Sequence, residues 1–298
     1  MSIEKNLDYA IKKHTTGKEK NDGFFYKNKV EYPNYEDNAS FELFKEQMPR
    51  NFFEQFKNGA GDELGLKESA RPPKMACYGS SSRMLYLLSR ANLDFCFEKK
   101  LATTIGGIAN LDGYLYKDNT HYYIEAKCRE LYSATSFKMS KKYRELYKFL
   151  GDECSQFKCI TSVADEKNIN AQFYINGKII THFDIKQMLC HLLAVATERL
   201  SVPTDDKTVF IYLIYNPQNL SIDNEKDKEK IFEIYKTETE ECGSIPFDSL
   251  YKGVVKYLYE KKRDKLKIKE MGKEQMQKIA DNFTFKLCDQ KNYKEVIK

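Results

Sequence analysis

Three residues in this 298-residue chain could act together through their types and spacing: Asp112, Glu125 and Lys127. In HYYIEAKCR, residues 121–129, the alternation of side chains predicts a strand. Tyr122, Ile124, Ala126 and Cys128 share an apolar face, while Tyr123, Glu125, Lys127 and Arg129 share the other. Such apolar flanks suit a central strand, so Glu125 and Lys127 become partly buried charges, which are costly without partners. The preceding strand is ANLDGYLYK, residues 109–117. With a two-residue turn at Asp118-Asn119, Lys117 faces Thr120. Counting back in register then sets Asp112 opposite Glu125 and Asn110 opposite Lys127. Opposed side chains on one face have Cβ atoms about 5 Å apart. Two carboxylates so placed repel, and a divalent cation between them reverses the sign. A one-residue slip would turn Asp112 to the other face.

Phosphodiester hydrolysis is the chemistry that suits this set. Carboxylates hold Mg²⁺, a hard ion that prefers oxygen ligands and retains waters. The ion polarises the phosphoryl oxygen and lowers the pKa of a bound water. Lys127 would orient or deprotonate that water, or stabilise charge developing on the phosphorane. The competing reading is a surface hairpin carrying a Glu–Lys pair.

The elements that must position these residues can be read in outline. Residues 1 to about 36 are polar with little periodicity. SFELFKEQMPRNFFEQFKNG has near-helical spacing of Phe, broken at Pro49, and GAGDELG and RPPKM are loops. Ser80-Ser81-Ser82 caps a helix through RMLYLLSRAN. Three strands follow: FCFEKKLATTI, interrupted at Gly106-Gly107, then the two above. SFKMSKKYRELYKFLGDEC is helical and KCITSVA a short strand. AQFYINGKIITHF is a hairpin turned at Asn176-Gly177. DIKQMLCHLLAVATERL is an amphipathic helix, KTVFIYLIYNP a buried strand, and the chain from Asn224 is largely helical.

Asp112 with Glu125-Ala126-Lys127, on adjacent strands after a helix, resembles the PD-(D/E)XK nuclease superfamily, as do the strings GGIANLDG and YIEAKCRE. Leu111 stands where the family's name-giving Pro would be. The resemblance covers roughly residues 76–216. It implies an α/β restriction-endonuclease-like core, a mixed central sheet flanked by helices in the order αβββαβ. Helix 81–92, three strands, helix 134–150 and a strand near 159 would supply that order. Three segments follow from this reading: an N-terminal extension (1–75), the nuclease core (76–220) and a helical C-terminal segment (221–298). The resemblance further implies that Asp112 and Glu125 bind metal and that Lys127 is the catalytic lysine. The expected function is a Mg²⁺-dependent endodeoxyribonuclease, with Mn²⁺ able to substitute, of restriction type. The alternatives are a DNA-repair or recombination nuclease on the same core, a nucleic-acid-binding protein that does not cleave, and a structural or interaction protein.

Further candidates surround the three. With a two-residue turn at Gly106-Gly107, Glu98 faces away from Asp112; a bulge would reverse that. Glu63 could reach the site from its loop or remain an exposed acid. Gln187, one helical turn from His191, supports the metal site or hydrogen-bonds locally along its helix. Lys74, Arg83 and Arg129 are candidates for phosphate contact. A net charge of +5 is compatible with a DNA partner without requiring one. There is no signal peptide or membrane-length apolar run, so a cytoplasmic location is expected. The 8 Cys lack zinc-ligand spacing and suit reduced, buried thiols. Cleavage of both DNA strands needs two active sites, which a homodimer would supply.

Overall fold

The computed structural model describes residues 3–17, 25–27, 30–32, 34–67, 71–129, 137–268 and 270–297. The first helix, α1 (Ile3–Thr16), lies in the polar stretch of little periodicity. Leu7, Ala10 and Ile11 are nonetheless at helical spacing, and they are buried against Leu220, Ile222 and Ile231. A short hairpin follows, β1 (Phe25–Lys27) with β2 (Val30–Tyr32). Pro49 then divides α2 (Asn38–Glu46) from α3 (Arg50–Lys57), as the loss of a backbone donor requires. Helix α4 (Ser81–Ser89) starts at Ser80, whose Oγ accepts from the Arg83 amide at 3.3 Å.

The central sheet opens with β3 (Cys96–Ala102), β4 (Ile108–Lys117) and β5 (Thr120–Lys127), joined antiparallel. Asp118 and Asn119 have φ of 50° and 54°. That is the backbone of a two-residue hairpin turn with both central residues left-handed, a conformation Asp and Asn tolerate. Lys117 accordingly pairs with Thr120 and Gly113 with Ile124. The β3–β4 connection differs from expectation. Ala102 pairs with Ile108, which leaves five residues, Thr103–Gly107, in the loop rather than a two-residue turn. Gly106 and Gly107 sit there at φ 85° and 111°.

The next stretch departs further from the sequence reading. Residues 130–136, where the expected helix 134–150 begins, lie outside the described residues. Lys138–Ser140 is a strand, β6, followed by a 3₁₀ turn and by α5 (Arg144–Glu153). Strand β7 (Phe157–Val163) pairs with β8 (Asn168–Ile175), which also pairs with β6 and with β9 (Lys178–Ile179). These four strands form a second sheet, so the strand near 159 is not part of the central one. Asn176 and Gly177, at φ 50° and 77°, make the expected turn.

Helix α6 (Ile185–Ser201), capped by Asp184, leads to β10 (Lys207–Ile214), which joins β5 in parallel. The C-terminal segment forms α7 (Glu225–Ser244), α8 (Phe247–Lys261), α9 (Arg263–Leu266) and α10 (Lys273–Asp281). It is not wholly helical. After α10 comes β11 (Phe283–Asp289), which adds to β10 in parallel at the sheet edge, followed by a short helix, α11 (Tyr293–Val296). The central sheet is therefore mixed and five-stranded, in the order β11-β10-β5-β4-β3.

Both faces of this sheet are covered. Leu85, Phe52, Phe56 and Tyr86 from α3 and α4 pack against Ile124, Ala126 and Ile211 on one side. Leu189, Leu193, Leu250 and Val254 from α6 and α8 close the other, with Tyr123 and Phe210. The first 75 residues thus supply core side chains to the sheet. Fully burying each Phe or Leu there contributes about 1.5–3 kcal/mol. No helix among the described residues is long and apolar enough to cross a membrane.

Candidate active site

A strand alternates its side chains, so residues of one parity should face one way. β3 and β4 break this rule at the same rung. Phe97 and Leu115 pack with the α3–α4 side, whereas Leu101, Ala109 and Leu111, also odd-numbered, pack with the α6–α8 side. The change of face falls at Glu98 and Asp112. The β3–β4 ladder pairs Phe97 with Gly113 and Lys99 with Leu111 but skips the pair between them. Glu98 has φ 54°, a left-handed backbone unusual for a glutamate. Gly113 next door is held bare: a Cβ there would lie 2.5 Å from the Phe95 ring and 3.0 Å from Leu85.

One cross-strand row thus carries three carboxylates on adjacent strands: Glu98, Asp112 and Glu125. Extending the β4–β5 register by one step from Gly113 and Ile124 would set Asp112 against Glu125, but the paired ladder ends before it. The Ala126 amide instead donates to Asp112 Oδ2 at 2.7 Å. The strands splay where the acids gather. The earlier expectation for Glu98 is corrected by the five-residue loop: the side chain faces the same cleft as Asp112. Its Oε2 receives the Ala60 amide at 3.4 Å.

Glu125 is 2% exposed. Its Oε1 receives Gln187 Nε2 at 2.8 Å and lies 2.8 Å from Lys127 Nζ. Lys127 Nζ also donates to Gln187 Oε1 at 2.9 Å, closing a triangle of three side chains. Gln187 reaches the strand because its own amide is tied to Asp184 Oδ1 at 2.9 Å, in the first turn of α6. A purely local role along the helix is thereby replaced by a tertiary one. His191, one turn on, is buried with Nδ1 3.4 Å from Glu125 Oε2. Burial holds its pKa below the ordinary histidine value despite Glu125.

The remaining acid comes from the loop before α4. Glu63 is 2% exposed, and its Oε1 accepts from Lys74 Nζ at 2.9 Å. Burial opposes the charge on Lys74, yet Glu63, with Glu98 and Asp112 beyond it, lifts its pKa above the usual lysine value. Burial, reinforced by Glu63, pushes Glu98 up to about 6. Asp112 is raised well above the carboxylate range by burial first and the Glu125 charge second.

These groups line one cleft of about 790 Å³. Its cations are Lys5, Arg71, Lys74, Lys127 and Arg129, and its acids Glu4, Glu63, Glu98, Asp112 and Glu125. Arg83, an expected phosphate contact, points elsewhere: it is buried on Glu36 at 2.7 Å and on the Met75 carbonyl. Arg129 does line the cleft, held by Asp8 of α1 at 2.7 Å.

Among the described residues, no group of three or more His, Cys, Asp or Glu side chains is placed to hold a metal ion. The donors present are nonetheless of the type that a hard divalent cation takes. Glu63 Oε2 and Glu125 Oε2 are buried carboxylate oxygens with no hydrogen-bond donor among the described residues. Comparison of the chain with protein-family models, with curated proteins and with solved structures returns no match.

Proposed function

We propose that the protein is a Mg²⁺-dependent endonuclease acting on DNA, of restriction type, with Mn²⁺ able to substitute. The observation that carries this reading is the Glu125–Lys127–Gln187 triangle standing beside Asp112 on the splayed end of the β4–β5 hairpin. A buried Lys-carboxylate pair that lines an open cleft is a costly arrangement for structure alone, and it is the arrangement that phosphodiester hydrolysis uses. The chain path also supports the reading. Helix α4, strands β3, β4 and β5, helix α6 and strand β10 follow the αβββαβ order of the PD-(D/E)XK superfamily, with the second sheet inserted between β5 and α6.

Asp112 and Glu125 are the residues that would hold the cation, with Glu98 and Glu63 in reach of the same cleft. The bound ion supplies Lewis acidity and a more acidic water. Lys127, anchored by Glu125 and Gln187, presents an ammonium to the cleft, where it orients the nucleophile or stabilises charge on the phosphoryl oxygens. Gln187 fixes where that ammonium sits. Lys127 Nζ, 2.8 Å from Glu125 Oε1, is the cation partner of that buried carboxylate.

Incubation with plasmid and genomic DNA, with Mg²⁺ or with EDTA, tests the proposal. Discrete fragments that need the ion support a restriction-type enzyme, and nicking or a smear supports a repair-type nuclease on the same core. Intact DNA with a salt-dependent mobility shift would leave a non-cleaving DNA-binding protein.

A further inference from the structure

The loop GAGDELG, residues 59–65, presses bare backbone onto two acids of the cleft. A Cβ on Gly59 would lie 2.9 Å from Glu98 Oε2. One on Gly61 would lie 2.3 Å from Glu63 Oε1 and 2.7 Å from Lys74 Nζ. Two backbone bonds hold the segments together: the Lys74 amide donates to the Asp62 carbonyl at 3.2 Å, and the Met75 amide to the Glu63 carbonyl at 3.1 Å. Glu63 and Lys74 are thus fixed side by side by main chain as well as by their own ion pair.

This pair repeats, at the other end of the acids, what Glu125 and Lys127 do. In each, Oε1 holds a lysine, at 2.9 Å for Glu63 and 2.8 Å for Glu125, while Oε2 is buried with no donor among the described residues. Glu98 is close enough to feel the Glu63 charge, and Asp112 that of Glu125. The Lys74 side chain is 63% exposed and that of Glu63 only 1%. The ammonium, not the acid, therefore meets what enters the cleft, and Glu63 takes one of its three donors. Glu63, Glu98, Asp112 and Glu125 with Lys74 and Lys127 among them leave the charge of one divalent ion to close the balance. A second ion bound at the Glu63 end would have to displace Lys74 Nζ from Glu63 Oε1.

Resting on the nuclease reading, the geometry points to Lys74 as the second cation of the active site. The cleft takes one divalent ion per chain, at Asp112 and Glu125, and the Lys74 ammonium contacts the scissile phosphate from the Glu63 side. Two-ion nuclease sites clamp the reacting phosphate between metals. Here one half of the clamp is a side chain, held by the glycine loop and independent of the ion concentration.

The test counts ions before it measures cleavage. Metal-free protein is titrated with Mn²⁺ in the absence of DNA, and bound ion is read by electron paramagnetic resonance. Wild type should bind one ion per chain. Lys74→Ala should bind two, the second more weakly, and Lys74→Ala combined with Glu63→Gln should return to one. Lys74→Gln, which can still donate to Glu63, should give the count of Lys74→Ala and replaces it if the alanine protein folds poorly. With only the first site filled, Lys74→Ala should cleave DNA about 100-fold more slowly than wild type and recover as the second ion binds. Two ions in wild type, a single ion in both Lys74→Ala and Lys74→Gln, or a wild-type rate from Lys74→Ala would overturn the role of Lys74. Any of these in a protein that cleaves DNA leaves the nuclease reading intact. A protein that binds no ion and cuts no DNA would overturn both.

Discussion

Asp112 Oδ2 takes the Ala126 amide at 2.7 Å, a donor that a regular β4–β5 ladder would give to a backbone carbonyl. The carboxylate therefore props the two strands apart at the point where Glu125 and Lys127 enter the cleft. Asp112→Asn keeps an oxygen able to accept that bond and removes the charge. Burial and Glu125 both disfavour the Asp112 anion, so the metal-free Asp112→Asn protein should be more stable at neutral pH than wild type. Wild type at Mn²⁺ about a hundred times its Kd should gain roughly 2.7 kcal/mol, and Asp112→Asn much less. Thermal melts in EDTA and in Mn²⁺ measure both. Equal Mn²⁺ shifts in the two proteins would remove Asp112 from the metal site.

Cleavage should vanish in Asp112→Ala, Glu125→Ala and Lys127→Ala. The lysine substitution carries a structural cost as well, since it leaves Glu125 buried without its cation partner, a change of about 3–5 kcal/mol. Lys127→Ala combined with Glu125→Gln should recover much of that stability without recovering activity. Robust cleavage by Lys127→Ala would exclude the lysine from the mechanism.

Gln187→Ala should lower the cleavage rate by about 10–100-fold, as for residues that orient a first ligand, with DNA affinity nearly unchanged. Gln187→Glu would place a second carboxylate on Glu125 and should be worse. Single-turnover kinetics separate the two parameters. A Gln187→Ala enzyme with wild-type rate would mean that Lys127 is held without it.

Protons compete with the cation in the cleft. Glu98, at about 6, and Asp112, also raised by burial, must both shed protons to offer ionised carboxylates. Metal affinity should therefore fall as pH drops through about 6, and Glu98→Gln should shift that limb. Titration of Mn²⁺ binding between pH 5 and 8 is the measurement. An unchanged profile in Glu98→Gln would place Glu98 outside the proton competition.

Behind Glu125 in the sheet register stands Tyr212, whose hydroxyl donates to Glu238 at 2.9 Å. Burial pushes Glu238 up to about 7. The folded state therefore holds this proton more tightly than the unfolded chain, where Glu titrates near 4.3. Its contribution to stability is complete below that value and is lost as pH rises to about 7. Glu238→Gln should flatten this decline and stabilise the protein above pH 7. Denaturant melts across pH 5 to 9 would expose the opposite result, a Glu238→Gln protein that loses stability at high pH.

The sequence made the register of Asp112 legible because Asp118-Asn119 is a turn whose length its residues dictate. Gly106-Gly107 carried no such information: glycines permit a two-residue turn, but Thr103 to Gly107 form a longer loop, and the parity of Glu98 changed with it. Gln187 was visible as a polar residue on an apolar helix, but only the packing of α6 on the sheet shows that it faces Lys127. The second sheet illustrates a different limit. Alternation in residues 157–175 predicts strands, yet which sheet they join depends on contacts far along the chain. β11 was readable in principle, since Phe283, Phe285 and Leu287 alternate with Thr284 and Lys286, but its short length beside basic helices masked it. Ser80-Ser81-Ser82 marked a helix start, but which of the three hydroxyls caps it is decided by the fold: Ser80 does.

The triangle of Glu125, Lys127 and Gln187 joins residues 60 and 62 positions apart, across the whole inserted sheet. Were the intervening chain a flexible loop, closing it would add a conformational-entropy cost that grows slowly with its length. Because β6 to β9 form their own hydrogen-bonded sheet, that cost is met locally and the two ends are delivered close together. If α6 reaches β5 only after this sheet has formed, site assembly waits on the hairpin turned at Asn176-Gly177. Damage to that distant turn should slow the appearance of a competent cleft during refolding more than it alters the finished one, so that a lesion with no contact to the acids governs how soon they meet.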